Sequence, residues 1–387
     1  MISNANNKEM IEQVLEDFIE NGIAQMKESL ENLFNELMVS ERENFIGAAP
    51  YERSSRRRDY ANGFKDKKLL TRTGQLNLKI PQVRHGEFYP ACLEKGEGTE
   101  QALKIALAEA YLQGVSTRKM KHLTRELCGE EISAAQVSRF SKRLDEEVKK
   151  FKERKLGNYR YLYLDAQYEK VRYEGCVRSL AVLKAVGVTE EGMREILDVS
   201  CSLSEADTHW RGFIEGLVKR GMKGLKLVIS DDHSGLRKAL MMLLPSVKWQ
   251  RCLFHLAKNA ADYVPARHLK KEMAAAVREI YRAVDREEAL ARKDKLVERY
   301  RDKATRFCDW LEENFEEGLT FFDFPKEHWS RIRTNNLMER LNQEQKRRTR
   351  QVRLFPNIES CERLVGMIAI RMNDEWATGK RYLEIKK

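Results

Sequence analysis

Apolar residues near the start of the chain recur with a helical period. Ile11, Val14, Leu15, Phe18, Ile19, Ile23 and Met26 form one stripe, which Leu30, Leu33, Phe34 and Leu37 continue, so the spacing predicts helix over 8–48. The opposite face is rich in Glu. Such a stripe packs in a bundle or against a second copy. Between Leu69 and Ile80 the alternation shortens to a period of two around Gly74. This predicts a short hairpin leading into an extended strip, Pro81-Gln82-Val83-Arg84. Helical spacing returns over 98–148 as three helices: one at 99–113, a second from Thr117 to Leu127 stopped by Gly129, and a third opened by Ser133. Gln136 follows Ser133 at capping-box distance. The third helix buries Val137, Phe140 and Leu144 and turns Gln136, Arg139, Lys142 and Arg143 outward. Two short helices with a Gly-bearing turn, the second basic outside, fit a helix-turn-helix that reads DNA; plain helical packing fits the same pattern.

From Tyr159 the period changes again. Tyr161-Leu162-Tyr163-Leu164 is a continuous apolar run, as a strand covered on both faces requires. Val177–Val186, Glu195–Leu203, Leu225–Ile229 and Val247–Cys252 are further strand candidates, with helices at Glu205–Arg220 and Leu236–Leu244. Strands first, then strands alternating with helices, predict a mixed α/β domain. Residues 256–320 read as almost wholly helical and highly charged, and 331–353 as a basic helix and tail. The expected organisation is an amphipathic helical segment (1–50), a basic segment (51–97), a helix-turn-helix-like domain (98–150) and an α/β core (151–255 with 331–387). An all-α insertion (256–330) interrupts that core.

Composition sharpens this picture. A chain of 387 residues is long enough for two or three domains. Lys and Arg number 71 against 60 Asp and Glu, a net charge of +11, and a globular chain this basic often meets a polyanion. The charge is uneven: residues 1–50 hold 3 basic and 10 acidic residues, while 51–90 hold 10 basic and 4 acidic. Arg56, Arg57 and Arg58, beside Tyr51, Tyr60 and Phe64, suit phosphate contact with aromatic rings nearby; a solvated charged loop fits equally well. No apolar run approaches the ~20 residues of a membrane span. The polar, acidic start is neither a secretory signal nor a transit peptide. Seven scattered cysteines without a C-x2-C pair suit the reduced thiols of a soluble cytoplasmic protein. No phosphate-cradling G-x-x-x-x-G-K-[ST] or dinucleotide-binding G-x-G-x-x-G motif occurs, which argues against ATP- or NAD-driven chemistry.

The candidate chemistry is carboxylate chemistry. Asp165 ends the Tyr161–Leu164 strand as read from the pattern, and Asp231 and Asp232 follow Leu227-Val228-Ile229-Ser230. Ligand sites gather at strand carboxyl ends in open α/β sheets. If the two strands are parallel neighbours, Asp165 and Asp231 converge. Two carboxylates in one place repel unless cations neutralise them, and all-oxygen ligands favour Mg²⁺ or Mn²⁺. The competing reading of each Asp is a turn or helix-cap residue. Glu339 is the third candidate. On a helix, Asn335, Glu339, Asn342 and Lys346 share one face while Leu337, Met338 and Leu341 pack the other. A salt-bridged surface Glu fits too. Three such acids suit a two-metal phosphoryl-transfer site. His233 could contact that site or merely hold its turn. Cys252 and His255 form a C-x2-H pair, but structural zinc usually takes four ligands and no second pair stands at suitable spacing. A packed, hydrogen-bonded pair is the simpler reading.

At these residues the sequence resembles the Mutator-type transposases of bacterial insertion sequences. The matching elements are Arg58-Asp59-Tyr60-Ala61-Asn62-Gly63, Gly74-Gln75-Leu76-Asn77-Leu78, Pro81-Gln82-Val83-Arg84 and Gly114-Val115-Ser116-Thr117-Arg118. They continue through Leu164-Asp165-Ala166-Gln167-Tyr168, Ser230-Asp231-Asp232-His233-Ser234-Gly235-Leu236, Gln250-Arg251-Cys252-Leu253-Phe254-His255, and Thr334–Asn342 with Lys346-Arg347-Arg348-Thr349-Arg350. The resemblance implies an RNase H-like mixed-sheet core with an Asp-Asp-Glu triad, Asp165, Asp231 and Glu339, holding two Mg²⁺ or Mn²⁺ ions. It implies double-stranded DNA as partner, bound at terminal inverted repeats, and a homodimer or larger synaptic complex. Glu339 follows Asp231 by 108 residues, which leaves room for the family's helical insertion. Trp210 matches an aromatic between the two Asp motifs, and Cys252 and His255 match the family's C-x2-H element. One departure stands out: the second motif usually reads Asp-Gly-His, and here Asp232 replaces the Gly. The rival functions are an RNase H-like nuclease without strand transfer and a catalytically silent, transposase-derived DNA-binding protein.

Overall fold

The computed structural model describes residues 23–128, 131–203 and 207–384. The helix expected over 8–22, the Gly129 stop and the first residues of the helix expected from Glu205 lie outside them. The chain divides into two compact units, Met1–Arg143 and Leu144–Lys387.

In the first unit, helix α1 (Ile23–Ile46) packs on an antiparallel hairpin of β1 (Ala61–Thr71) and β2 (Gly74–Val83). Met38, Leu69, Leu76, Leu78, Ile80 and Leu93 make its core, with Leu30 and Phe34 against it. The polar side of α1 satisfies the backbone of β2. Glu31 accepts from the Asn77 amide at 2.6 Å and Asn35 from the Lys79 amide at 2.8 Å. Side chains thus replace a missing neighbour strand, which leaves fewer free N–H groups on an edge. The hairpin is longer than the alternation suggested and takes in Pro81 to Val83 of the expected extended strip, with Pro81 opposite Phe64. Helices α2 (Gln101–Leu112), α3 (Thr117–Cys128) and α4 (Ala134–Glu153) follow, the first unit ending within α4 at Arg143. The capping box forms as expected: the Ser133 amide donates to Gln136 Oε1 at 2.8 Å, and the Gln136 amide to Ser133 Oγ at 3.2 Å.

The second unit is built on a five-stranded mixed sheet. Its strands are β3 (Tyr159–Tyr173), β4 (Cys176–Thr189), β5 (Arg194–Ser202), β6 (Leu227–Ser230) and β7 (Lys248–Arg251), in the order β5-β4-β3-β6-β7. The β3/β4 and β4/β5 pairs are antiparallel; β3/β6 and β6/β7 are parallel. Between β5 and β6 lies α5 (Asp207–Lys219), and between β6 and β7 lies α6 (Ser234–Leu243). One correction concerns β3. It does not end at Leu164 but continues through Asp165 to Tyr173, because β4 pairs with it along that whole length.

The alternation along β3 explains its continuous apolar run. Leu162 and Leu164 point to one face and join Trp210, Ile214 and Leu217 of α5 and Leu236 and Leu240 of α6 in the main core. Tyr161 and Tyr163 point the other way. The Tyr161 hydroxyl meets His328 Nδ1 at 2.7 Å and that of Tyr163 donates to the Arg331 carbonyl at 3.3 Å. Asp165, Gln167 and Glu169 continue this second face.

After β7 the chain enters a helical stretch: α7 (Leu253–Asp262), α8 (Lys270–Ile280), α9 (Arg286–Tyr300), α10 (Thr305–Asn314), three short 3₁₀ turns and α11 (Trp329–Ile332). It returns to the sheet as α12 (Asn336–Val352). A last helix, α13 (Ile358–Ala377), which the pattern reading did not resolve, lies along β5. Its Asn373 accepts from the Ile196 amide at 2.7 Å and donates to the Ile196 carbonyl at 2.9 Å. No helix among the described residues is long and apolar enough to cross a membrane.

Candidate active site

The parallel pairing of β3 with β6 sets two acids side by side. Tyr161 is level with Leu227, Leu162 with Val228 and Tyr163 with Ile229. Asp165 lies two residues past Tyr163 on β3 and Asp231 two past Ile229, just beyond the end of β6, near enough for the charge of Asp231 to act on Asp165. Asp165 is buried, and burial raises its carboxyl pKa. The charge of Asp231 adds to that rise, while a hydrogen bond from Asn342 and the charge of Lys184 oppose it.

Helix α12 supplies the third acid and is tied to β3 at four points. Asn335 Nδ2 donates to the Leu164 carbonyl at 3.3 Å and Asn342 Nδ2 to Asp165 Oδ2 at 2.6 Å. Gln345 Nε2 and Thr349 Oγ1 both donate to Glu169 Oε1, at 3.1 and 2.9 Å. Glu339 stands four residues after Asn335 and three before Asn342, so it shares the face that meets β3. Its Oε1 is buried and has no hydrogen-bond partner among the described residues. A buried carboxylate oxygen left without a donor is costly unless a cation or water completes it.

Lys184, on β4 directly opposite Asp165, was missed in the sequence reading. It is fully buried, donates to Gln167 Oε1 at 2.8 Å and also to Asn342 Oδ1. By occupying the Asn342 oxygen it fixes which end of that amide faces Asp165. Burial lowers its pKa to about 8, against the pull of Asp165 and Glu169. A lysine within Leu180-Ala181-Val182-Leu183-Lys184-Ala185-Val186, an otherwise apolar strand, was the available signal.

Asp231 and its neighbour Asp232 part company. Asp231 pairs with His255 Nδ1. Asp232 instead joins Arg237 at 3.4 Å and Arg251 at 3.3 Å, in a network completed by Glu317. The Cys252-x2-His255 pair gains a third member that spacing could not reveal: ligand atoms of Asp231, Cys252 and His255 lie within 4.8 Å of one another. The Asn335 amide donates to Cys252 Sγ at 3.2 Å, joining the start of α7 to that of α12. Burial disfavours charge on His255, but its hydrogen bonds to Asp231 and Cys252 prevail and raise its pKa to about 10.

The sequence profile described as "Transposase, Mutator family" matches residues 2–379. The chain belongs to this transposase family. Its relatives include a transposase for insertion sequence element IS406 of Burkholderia multivorans, 48% identical over 94% of this chain and 95% of that protein. The transposase for ISRM5 of Rhizobium meliloti is 41% identical over 93% and 90%. That for IS256 in transposon Tn4001 of Staphylococcus aureus is 35% identical over 98% and 97%.

The other residues singled out for this transposase family fall into distinct places. Trp210 is buried in the main core against Phe213, on the sheet face opposite Asp165. His233 caps the start of α6, its carbonyl accepting from the Arg237 amide. Arg56, Arg58, Arg139 and Lys142 are exposed, as are Lys346, Arg347 and Arg350 on α12. Arg57 is half-buried and donates to the carbonyls of Ala49 and Glu52. Arg139 donates to the Gly96 carbonyl at 3.2 Å, and two further residues of the basic and polar sets are committed within the protein. Arg348 is buried and paired with Glu344 at 2.7 Å, because its position turns inward on α12. Gln136 spends its side chain on the capping box, the Gly98 carbonyl and Thr99 Oγ1.

Proposed function

We propose that this transposase binds the terminal inverted repeats of an insertion sequence and cuts and joins DNA through Asp165, Asp231 and Glu339. The observation that carries the reading is the convergence at β3. Asp165 on β3 and Asp231 just past the end of the adjacent parallel strand β6 act on one another electrostatically, and a helix presents a third acid, with a bare buried oxygen, to the same face of β3. The strand order, three antiparallel strands followed by two parallel ones, supports an RNase H-like core.

The three carboxylates offer only oxygen donors, which suits Mg²⁺ or Mn²⁺, two ions being expected. When bound, such ions activate the attacking oxygen and neutralise charge on the leaving oxygen. The protein's own groups hold the ligands still. Asn342 orients Asp165, Lys184 orients Asn342, and His255 with Cys252 fixes Asp231. Exposed Lys346, Arg347 and Arg350 provide phosphate contacts beside the acids. In the first step a water oxygen bonds to the scissile phosphorus and the P–O3′ bond breaks, freeing a 3′-hydroxyl at the element end. In the second, that 3′-oxygen bonds to a target phosphorus and displaces the target's own 3′-oxygen, which takes up a proton. No protein nucleophile is needed. Two ends must be handled together, which calls for a homodimer or larger assembly.

The test is a strand-transfer assay with Mg²⁺, a labelled duplex of the element's end and supercoiled plasmid, comparing wild type with Glu339→Gln. Joined product that disappears in the variant supports the reading. Cleavage without joining points to a nuclease, and binding without any chemistry to a silent DNA-binding protein.

A further inference from the structure

The first compact unit carries a second feature suited to nucleic acid, separate from the acids. A cavity of 890 Å³ lies where the end of α1 meets the following loop and the open end of the hairpin. That volume falls within the ~300–1,000 Å³ range of small-ligand sites. Four arginines line it: Arg42, Arg53, Arg57 and Arg84. Arg42 is the telling one. Only 6% of it is exposed, its guanidinium lies 5.2 Å from the Phe64 ring, and its Nε is buried with no hydrogen-bond partner among the described residues. A buried Nε–H without an acceptor is costly unless something brings one to it.

The aromatic residues of the cavity are not core residues. Tyr51 is fully exposed, and its φ of 62° lies in the left-handed region that favours glycine. Backbone strain of this kind persists where surrounding structure enforces it. Here the enforcement is visible. The Ala49 amide donates to Glu52 Oε2 at 2.8 Å, Arg57 reaches the Ala49 and Glu52 carbonyls, and the Arg58 amide bonds the Ile46 carbonyl at 2.7 Å. Gly47, at φ 75°, lets the loop fold back this tightly: a Cβ there would stand 2.5 Å from the Arg56 carbonyl oxygen. Tyr60 has Arg57 and Arg84 against its ring, at 5.4 and 5.9 Å. Tyr51 is therefore held out as an exposed aromatic ring on the wall of the arginine-lined cavity. Of the two acids lining the cavity, Glu43 and Glu52, the latter is occupied by the Ala49 amide.

We propose that this cavity binds one unpaired DNA nucleotide, its phosphate among the arginines and its base stacked on Tyr51. A duplex offers phosphates but keeps its base faces covered, whereas an exposed aromatic ring rewards a base that has left the stack. The inference rests on reading the chain as a DNA-handling enzyme and extends that reading to unpaired ends or displaced nucleotides.

The test uses full-length protein in EDTA, so that no cleavage intervenes. Three duplexes of one arbitrary sequence serve as probes: blunt, or carrying a single unpaired 2-aminopurine nucleotide at the 3′ or at the 5′ end. Wild type should bind one overhanging duplex about ten-fold tighter than the blunt one and quench its fluorescence. Tyr51→Ala should lose both effects while binding the blunt duplex unchanged, and Tyr51→Phe should keep them. Tyr51 is exposed, so circular dichroism should report an intact fold. Equal affinity for all three duplexes, or equal weakening of all three by Tyr51→Ala, would overturn the proposal and leave a duplex-phosphate surface. Failure to bind any duplex would overturn the DNA-handling reading together with it.

Discussion

Replacing Lys184 with methionine should separate the stability of the second unit from its chemistry. The lysine is fully buried, and the fall of its pKa from 10.5 to about 8 corresponds to roughly 3 kcal/mol against its charged form. Methionine keeps the apolar stem and removes that penalty. It also leaves Gln167 Oε1 and Asn342 Oδ1 without their donor, at roughly 1–3 kcal/mol each. The terms nearly offset, so unfolding free energy should change by no more than about 3 kcal/mol. A pH signature accompanies this. Between pH 8 and 10.5 the unfolded chain holds a proton on Lys184 that the folded protein has released. Wild-type stability therefore gains up to about 1.4 kcal/mol per pH unit from this group as pH rises through that window. The variant lacks the gain, and the difference between the two proteins isolates it from His255, whose opposite slope both share. Urea unfolding read by tryptophan fluorescence is the assay. All five tryptophans, Trp210, Trp249, Trp310, Trp329 and Trp376, lie in the second unit. Activity should behave differently: with Asn342 no longer oriented toward Asp165, joining should fall about 10–100-fold, the usual effect of losing a group that positions a ligand. Wild-type joining in the variant, or a loss of stability beyond about 4 kcal/mol, would refute the reasoning.

His255 holds a raised pKa, about 10 against 6.5 unfolded, so its contribution to stability is full below pH 6.5 and is lost as pH rises through 10. His255→Asn should flatten that decline in EDTA, measured by the same fluorescence unfolding; an unchanged profile would show that the proton is not held there. Asp232→Gly should keep strand transfer and cost about 1 kcal/mol or less, because Glu317 still holds Arg251 at 2.8 Å and the carboxylate lost is partly solvated. An inactive, folded Asp232→Gly protein would move the second acid from Asp231 to Asp232.

The legible part of the fold was the part governed by local periodicity. The described part of the first helical stripe, from Ile23 on, the capping box at Ser133 and all five strands of the mixed sheet were anticipated, the strands within a few residues of their ends. The exception was the run of β3 beyond Leu164. Its later residues, Asp165 to Arg172, are largely polar, and polar residues extend a strand only when a partner such as β4 and a helix such as α12 receive them. Helix α13 was not singled out because its place depends on the β5 edge it covers, not on its own pattern. Lys184 and Arg348 escaped for a related reason: burial of a charge reflects what surrounds it, and no spacing rule announces it.

The linear order of residues already specified the alternation that buries both faces of β3, the basic character of the chain and the three acids worth testing, since these depend on residue type and spacing alone. Tertiary structure decided how the neighbouring acids are partnered, Asp231 with His255 and Asp232 with Arg237 and Arg251. It also decided that Cys252 and His255 serve Asp231, and that a lysine from a third strand fixes the amide that orients Asp165. Each of these is a contact between residues far apart along the chain, made only when the sheet and its returning helix close around one another.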